Sequence, residues 1–385
     1  MRLNLFLGFV VLASTLGQAE TNSVRKLEDV VIYNDSQFHS AFPSVVRRPD
    51  GELFLAFRRA PDWRPLGGKG YTHTDQNSYL VSVRSQDDGK TWSKEPELIF
   101  AHPFGGSQDP CLLQLKDGTI LCSSYGWSSP HTNVLAALKQ PAMRAGQFVF
   151  LGGYLLQSQD GGKSWDQPIV PPPSKGEVRL NLFGKPSPAY NRGALCEGNN
   201  GRIFWAVASK TSVTARDTSV HLMTSDDKGK TWDYSSPIAV DDKVAFNETS
   251  LYQTRKGDLV AFLRTENFGD QTCVARSTDG GKTFQKWQGA GFKGHPHYAL
   301  RLPDERVLLV YGYRHAPMGI RARVLNAECT DFATAQEIIL RDDGGGSDLG
   351  YPWATMVGKD RALVVYYFNQ ANGTRHIAGT FVSIE

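Results

Sequence analysis

Six times along the chain, an apolar run leads into a short polar turn and a second apolar run follows. The segments are FPSVVRRPDGELFLAF, DPCLLQLKDGTILCSSY, GALCEGNNGRIFWAVAS, ETSLYQTRKGDLVAFLR, HPHYALRLPDERVLLVYGY and YPWATMVGKDRALVVYYF, starting at Phe42, Asp109, Gly193, Glu248, His295 and Tyr351. Two strand-length apolar runs around a turn such as DG, NNG or KGD are typical of a β-hairpin. The pattern therefore predicts an all-β chain built from six hairpins.

A second repeat follows each of the first four hairpins. The octets SQDDGKTW, SQDGGKSW, SDDKGKTW and STDGGKTF start at Ser85, Ser158, Ser225 and Ser277. Their unequal spacing is too irregular for a solenoid but suits successive blades of a propeller. The Asp at the third position can accept backbone N–H bonds, and the Gly at the fifth tolerates positive φ. We therefore expect the octets to be structural turns between the outer strands of four blades.

Four-stranded antiparallel blades arranged around an axis form a propeller, and six hairpins imply six blades. We predict a single six-bladed β-propeller over residues 20–385. Residues 1–19 have a charge at Arg2, an apolar run and small residues at Gly17 and Ala19. This pattern predicts a signal peptide cut after Ala19, and hence a secreted or periplasmic protein. No apolar run is long enough to predict a membrane span.

Composition excludes several classes of function. The chain has 42 Lys and Arg against 39 Asp and Glu, with the two signs interspersed, which argues against a nucleic-acid partner. The five cysteines lack CxxC spacing, so we expect mostly buried thiols with at most one or two disulfides. No zinc or haem motif occurs, and neither a metal nor another cofactor is predicted. A monomer is expected.

Several copies of SxDxGxTW resemble the Asp-box of the sialidase superfamily. The resemblance spans nearly the whole chain after residue 19, and it implies a six-bladed propeller with a glycan substrate bound at the channel. Asp-boxes also occur in propellers without glycosidase activity. The Asp-boxes therefore do not distinguish an enzyme from a non-catalytic propeller, and the evidence must come from the channel-facing residues at the hairpin starts.

Three positions resemble the catalytic residues of sialidases. Asp75 in THTDQNSYLVSVRSQDDGKTW matches the general acid/base, Glu248 in AFNETSLYQTRKGDLVAFLRTEN matches the base, and Tyr351 in GYPWATM matches the nucleophile. A sialic acid carries a carboxylate on its anomeric carbon, which would repel an anionic nucleophile but not a neutral phenol. A phenol has a pKa of about 10 and needs an adjacent base, the role expected of Glu248. Asp75 would protonate the leaving oxygen and then activate water.

The resemblance also implies residues that bind the substrate. They are Arg58 or Arg59 in LAFRRAPD, Asp109 in QDPCLLQL, Arg264 after the Glu248 segment and Arg321 in HAPMGIRARVL, with Arg314 or Arg375 as substitutes for a third arginine. Arginine suits this task because its planar fork binds a carboxylate bidentately.

Two positions depart from the sialidase pattern. Ala41 in SAFPSVV stands where the family has the first arginine of its cluster, and Tyr367 with Phe368 stands where a glutamate supports that arginine. A buried glutamate without its arginine would be costly, so a joint loss indicates a changed pocket. The ligand would then be sialic acid, or another acidic or neutral sugar handled by the same retaining chemistry.

Histidines and tryptophans near the hairpin starts add further candidates. They are His39, His73, His131, His295, His297, His315, Trp63, Trp127 and Trp353. We favour histidines that form hydrogen bonds singly over a divalent-metal cluster. The tryptophans are candidates for stacking on a sugar, and packing between blades explains them equally well.

The sequence thus predicts an exported retaining exo-glycosidase that removes terminal sialic acid or a related acidic sugar without a cofactor. Ala41 favours one alternative, a glycosidase or lyase acting on a uronic or rhamnose-type polysaccharide. Another alternative is a non-catalytic glycan-binding propeller. The presence of both Tyr351 and Glu248 argues against it, because binding alone needs no phenol–carboxylate pair.

Overall fold

The computed structural model describes residues 24–68, 73–212, 218–369 and 373–385. The predicted signal peptide lies outside these residues. The strands form six antiparallel sheets, and the innermost strands of successive sheets contact one another around the channel. The six predicted hairpins each form the two inner strands of one sheet, which confirms the six-bladed β-propeller.

The first strand, β1 (Val24–Tyr33), precedes blade 1 in the chain but belongs to the sheet of the last blade. Blade 1 contains β2 (Phe38–Arg47), β3 (Leu53–Pro61), a 3₁₀ turn (Arg64–Leu66), β4 (Tyr79–Ser85) and β5 (Glu97–Phe100). Blade 2 contains β6 (Gly106–Ser107), β7 (Cys111–Gln114), β8 (Ile120–Ser128), the helix α1 (Thr132–Ala137), β9 (Arg144–Ala145) and β10 (Phe148–Ser158). Blade 3 contains β11 (Cys196–Glu197), β12 (Ile203–Ser209), β13 (Ser219–Ser225) and β14 (Asp233–Ala239).

The remaining three blades follow in the same way. Blade 4 contains β15 (Phe246–Gln253), β16 (Leu259–Thr265), β17 (Gln271–Ser277) and β18 (Gln288–Lys293). Blade 5 contains β19 (His297–Arg301), β20 (Val307–Tyr313), β21 (Gly319–Leu325) and β22 (Glu337–Arg341). Blade 6 contains β23 (Gly350–Met356), β24 (Arg361–Asn369), β25 (Arg375–Ile384) and, at its outer edge, β1.

The two ends of the described chain close the ring. β1 pairs antiparallel with β25, with Val24 opposite Ile384, so the last blade takes three strands from the C-terminal part and one from the N-terminal part. The pairing also covers an edge of β25 that would otherwise present unpaired backbone groups. The N-terminal strand that leads into blade 1 is thereby hydrogen-bonded into blade 6, which closes the ring.

The second strands of the blades are buried on both faces. β12 is buried at every residue, and β16 and β24 at nearly every residue. Each blade packs between two neighbours, so both faces of its sheet contact another sheet. This explains why these strands appear in the sequence as continuous apolar runs rather than as alternating apolar and polar positions.

Each of the four octets forms the turn after the strand that pairs with the second hairpin strand. In blades 1, 3 and 4 this turn leads into the fourth strand, as predicted, and in blade 2 it leads to an isolated bridge between Leu155 and Ile169. In the second octet, Gly162 N donates to Ser158 Oγ at 2.8 Å, and Ser164 N and Oγ donate to Asp160 Oδ1 and Oδ2 at 2.9 and 2.6 Å. The other three octets make the same contacts. Gly162 has φ 82°, a conformation that glycine adopts without a steric penalty. The octets are therefore structural turns.

The cysteines and helices agree with the sequence-based expectations. All five cysteines are free, and four of them are buried. No helix among the described residues has the length and apolarity to cross a membrane.

Five buried histidines make the stability of the fold sensitive to acid. Burial penalises the charged imidazolium and lowers the pKa of His39, His221 and His376 to about 4, of His297 to about 3 and of His295 to about 2. The same side chains have a pKa of about 6.5 in an unfolded chain. Between these values the unfolded state binds more protons than the folded state, so the free energy of unfolding falls as the pH falls.

We therefore expect the thermal unfolding midpoint to drop steeply from about pH 6.5 to about pH 4, while it changes little from pH 7 to 8. Calorimetry at constant ionic strength measures this. Asn in place of His221 removes one titrating group. The slope of the free energy of unfolding against pH should therefore fall by about 1.4 kcal/mol per pH unit within that window. A midpoint that stays constant between pH 7 and 4.5 would show that these histidines are not held neutral.

Candidate active site at the channel

The hairpin starts bring side chains from five blades to one cavity. Its volume is about 270 Å³, and Phe42, Asp109, Glu248 and Tyr351 line it. Arg192, directly before the third hairpin, completes the set of blade-start residues on its wall. The starts are distant in sequence but equivalent in the propeller, so one side chain from each of these five blades reaches the same place.

Backbone conformation at the blade starts is unusual. Phe42, Asp109, Glu248 and Tyr351 have φ values of 59°, 26°, 36° and 52°. Register shifts interrupt β2, β15 and β23 at three of these residues. Such φ values are uncommon and costly for residues other than glycine, and bulges re-aim the side chains they carry. The same local distortion therefore turns a different functional group toward the cavity in each of these blades.

Tyr351 and Glu248 form the central pair of the site. The Tyr351 hydroxyl donates to Glu248 Oε1 at 2.7 Å, although the two residues come from blades 6 and 4. Burial raises the pKa of Tyr351 and the Glu248 carboxylate adds to the shift, while Arg264 and Arg314 oppose it. The phenol is therefore neutral at rest, with its proton already directed at a carboxylate.

Arg264 and Arg314 flank this pair. Arg264 forms an ion pair with Glu248, and its Nη1 donates to the Tyr351 hydroxyl at 3.4 Å. The Arg314 guanidinium carbon lies 5.3 Å from the centre of the Tyr351 ring, and its Nη2 donates to the Tyr367 hydroxyl at 3.1 Å. Both arginines keep part of their surface accessible. The predicted substitute Arg314 therefore stands beside Arg264 at the reacting phenol.

Arg321 does not join these arginines. Its Nη2 donates to the Pro317 carbonyl at 2.9 Å, and its guanidinium carbon lies 4.8 Å from the Tyr313 ring. The side chain is buried and its Nε lies 3.5 Å from Glu337. These contacts hold Arg321 inside blade 5, away from the described residues that line the cavity. The expectation that it belongs to an anion clamp is corrected accordingly.

Of Arg58 and Arg59, only Arg58 points toward the site. Adjacent residues of β3 project to opposite faces, as in any strand. Arg58 is fully buried, lies 3.3 Å from His39 Nδ1 and interacts electrostatically with Asp109. Arg59 instead donates to Asp35 at 2.9 Å and lies over the Phe38 ring.

Asp75 lies outside the cavity that contains Tyr351. The Trp63 indole donates to its Oδ2 at 2.6 Å, and the backbone N–H of Asn77 donates to its Oδ1 at 2.8 Å. Asp75 lines a separate cavity with Asn77 and Phe148. Its carboxylate therefore acts as a hydrogen-bond acceptor that organises its own loop, which corrects the expectation that it faces the reacting atoms.

Arg192 is the most buried charged residue among the cavity residues that sequence analysis missed. It is 2% exposed, and its guanidinium carbon lies 5.3 Å from the Tyr351 ring and 5.1 Å from the Trp353 ring. Its Nη2 donates to the Pro43 carbonyl at 3.1 Å. The available signal was its place before Gly193, which matches that of Tyr351 before Pro352 in the last hairpin.

Aromatic rings occupy the region around the two departures from the sialidase pattern. Ala41 is fully buried. The Phe42 ring lies edge-on to Tyr351 at 4.7 Å and to Tyr367 at 5.1 Å. The Tyr367 hydroxyl donates to Asp348 at 2.8 Å. This side of the site is well packed, in agreement with a changed rather than a degraded pocket.

His39, His73 and Asp348 form a cluster in which one atom of each lies within 4.8 Å of the others. Arg58 donates to His39 Nδ1, which leaves Nε2–H of His39 facing Asp348 at 3.6 Å. Asp348 also accepts a bond from Arg375 Nε at 2.9 Å. A carboxylate already bound to a guanidinium is a poor cation ligand, so the cluster favours the hydrogen-bonding interpretation of the histidines.

The tryptophans have different environments. Trp127 lines the cavity, Trp353 stacks on Tyr298 at 4.4 Å in the interior, and Trp63 binds Asp75. Trp127 is therefore the one of the three that is placed to contact a ligand in this cavity.

The fold is a six-bladed propeller with Asp-box turns, and a tyrosine–glutamate pair lies at its channel. The family model described as BNR repeat-like domain matches residues 140–361. The chain belongs to this BNR repeat-like family. No curated protein matches the sequence significantly.

Solved structures agree with this assignment. A protein of unknown function from Dyadobacter fermentans DSM 18053 is 62% identical, with a TM-score of 0.92 over 94% of this chain and 99% of that one. The NanB sialidase from Streptococcus pneumoniae is 15% identical, with a TM-score of 0.62 over 94% of this chain and 70% of that one. The intramolecular trans-sialidase from Ruminococcus gnavus is 14% identical, with a TM-score of 0.58 over 92% and 96%. At such low identity the two sialidases are similar in fold.

Proposed function

We propose that the protein is an exported retaining exo-glycosidase with Tyr351 as its nucleophile. The observation that carries this proposal is the 2.7 Å hydrogen bond from the Tyr351 hydroxyl to Glu248 inside a sugar-sized cavity. A neutral phenol becomes a competent nucleophile when a base removes its proton during attack. Tyr351 supplies the nucleophile and Glu248 the base, and the two are already hydrogen-bonded.

In the first step, the Tyr351 oxygen attacks the anomeric carbon while Glu248 takes the phenol proton. The bond from the anomeric carbon to the leaving oxygen breaks, and that oxygen needs a proton from an acid. In the second step, the conjugate base of that acid takes a proton from water, whose oxygen replaces the tyrosine oxygen at the same carbon, and Glu248 returns its proton to Tyr351. Two displacements at one carbon give net retention of configuration.

The proposed substrate is a terminal sialic acid or a related acidic sugar. Arg264 and Arg314 stand beside the reacting phenol, partly accessible and positively charged. Paired guanidinium groups suit a carboxylate next to the anomeric carbon. Ala41 removes one positive charge from the sialidase pattern, so related acidic sugars, including uronic acids, belong in the same test.

A non-catalytic glycan-binding propeller is the rival from another class. Sugar binding alone requires hydrogen-bond donors and aromatic surfaces, which Trp127 and Tyr125 on the cavity wall would supply. It does not require a phenol bonded to a carboxylate at strained backbone positions. The Tyr351–Glu248 contact therefore favours the enzyme.

Stereochemistry tests the proposal. Purified protein lacking residues 1–19 is incubated with aryl glycosides of sialic, uronic and neutral sugars, and proton NMR follows the first-formed anomer. We expect one acidic glycoside to be hydrolysed with retention, and a fluorinated glycosyl fluoride of that sugar to label Tyr351 in peptide mass spectrometry. An inverted product, or a label on another residue, would contradict the mechanism. Tight binding without hydrolysis would indicate the glycan-binding propeller.

A further inference from the structure

Asp109 occupies a place that a substrate-binding role alone does not explain. It starts the second hairpin, and its side chain lines the same cavity as Tyr351 and Glu248. The three residues come from blades 2, 4 and 6, so they approach a bound sugar from three separated directions around the channel. Asp109 also interacts electrostatically with both Tyr351 and Glu248.

One carboxyl oxygen of Asp109 accepts a hydrogen bond, and the other is buried without a partner. The Tyr125 hydroxyl donates to Oδ2 at 2.8 Å. Oδ1 is buried and has no hydrogen-bond partner among the described residues, in a side chain that is 2% exposed. A buried ionised carboxylate with an unpaired oxygen is costly, so this arrangement favours the acid form with its proton on Oδ1.

Burial outweighs the charges around Asp109, which on balance favour the ionised form. Burial raises the pKa of Asp109, Arg192 opposes the shift and the nearby Glu248 adds to it. A carboxyl group held protonated beside an ionised one is the arrangement by which glycosidases divide acid and nucleophile-activating roles between two carboxyl groups.

We propose that Asp109, and not Asp75, is the general acid/base of this site. The inference rests on the proposed glycosidase function. Asp75 uses its carboxylate within its own loop, whereas Asp109 lies on the wall of the nucleophile's cavity and has a buried oxygen without a partner.

The two steps balance with Asp109 in this role. In the first, the Asp109 proton passes to the leaving oxygen as its bond to the anomeric carbon breaks and the Tyr351 oxygen bonds to that carbon. In the second, the Asp109 carboxylate takes a proton from water, whose oxygen bonds to the anomeric carbon. The bond from that carbon to Tyr351 then breaks, and the phenol regains its proton from Glu248.

Leaving-group dependence distinguishes an acid from a residue with a structural role. Phenyl and dinitrophenyl glycosides of the hydrolysed sugar are compared for wild type, Asp109→Asn and Asp75→Asn. The phenyl leaving group needs protonation and the dinitrophenyl group does not. We expect Asp109→Asn to lose at least about 100-fold in kcat/KM on the phenyl glycoside and less than about tenfold on the dinitrophenyl glycoside.

Azide gives a second readout that loss of folding would not imitate. It attacks the glycosyl–enzyme without needing a base, so it should accelerate turnover by Asp109→Asn and yield the glycosyl azide, with sodium chloride at equal ionic strength as the control. Equal losses on both glycosides without azide rescue would overturn the assignment. The same leaving-group dependence in Asp75→Asn, with Asp109→Asn unaffected, would return the role to Asp75.

The backbone at Asp109 suggests a second variant in case the first is poorly folded. Its φ of 26° favours glycine and asparagine. Asp109→Gly removes the carboxyl group without adding strain and should show the same leaving-group dependence. If wild type hydrolyses no glycoside of the panel, the proposed function fails and the assignment with it. If wild type is active and labels Tyr351, failure of the Asp109 variants to show the dependence overturns the assignment alone.

Discussion

Phenylalanine in place of Tyr351 is expected to abolish turnover while the protein still folds and binds its ligand. The substitution removes one oxygen, the atom that donates to Glu248 at 2.7 Å and that would bond to the anomeric carbon. The ring remains and keeps its edge-on contact with Phe42 at 4.7 Å. Loss of a covalent nucleophile is among the largest single effects on catalysis, and we expect kcat to fall by roughly 10⁴-fold or more.

Steady-state hydrolysis and calorimetric titration with the released sugar measure turnover and affinity separately. Tyr366→Phe is the matched control, because Tyr366 is a buried tyrosine of blade 6 whose hydroxyl bonds to Thr380 outside the cavity. It should keep wild-type turnover. Unchanged turnover by Tyr351→Phe would exclude the double-displacement mechanism, even if the protein proves to be a hydrolase.

Glutamine in place of Glu248 is expected to lower kcat by about 10²–10⁴-fold with a much smaller change in KM. The amide oxygen can still accept the hydrogen bond from Tyr351, but it is far too weakly basic to take the proton during attack. Arg264 also loses its ionic partner, and a partly buried arginine without a counter-charge should lower the unfolding temperature.

Glu97→Gln provides the comparison for loss of a carboxylate charge. Glu97 pairs with Arg84 at the outer edge of blade 1, and its side chain is 56% exposed. It should retain turnover and lose little stability, as is usual for an exposed ion pair. If Glu248→Gln raised KM with kcat unchanged, Glu248 would be a binding residue and another base would have to activate Tyr351.

Sequence was a reliable guide wherever the signal was local. A hairpin is recognised in the sequence by two apolar runs around a turn. An Asp-box is recognised by a serine, an aspartate and a glycine that take part in hydrogen bonds within eight residues. Both were therefore located correctly. The resemblance to sialidases added Tyr351 and Glu248, which the structure brings into contact although they lie in different blades.

Other assignments needed the three-dimensional arrangement. Arg58 and Arg59 are neighbours in sequence, and only the strand's alternation separates the one facing the site from the one facing Asp35. In the sequence, Arg314 and Arg321 are equally suitable anion ligands. In the structure, Arg314 flanks Tyr351, whereas Arg321 donates to carbonyls inside blade 5. The same applies to Asp75 and Asp109, which differ in what their carboxyl oxygens contact.

The sequence by itself determined the number of blades and the turns that hold their outer strands, and its resemblance to sialidases pointed to Tyr351 and Glu248. Only the tertiary structure decided which arginines flank that pair, which aspartate shares its cavity, that Arg192 lies against the Tyr351 ring, and that β1 closes the last blade. Turns and hairpins depend on residues a few positions apart, so they can be predicted from the sequence alone. A channel site depends on bulges that re-aim single side chains from distant blades, and those directions exist only once the ring has closed.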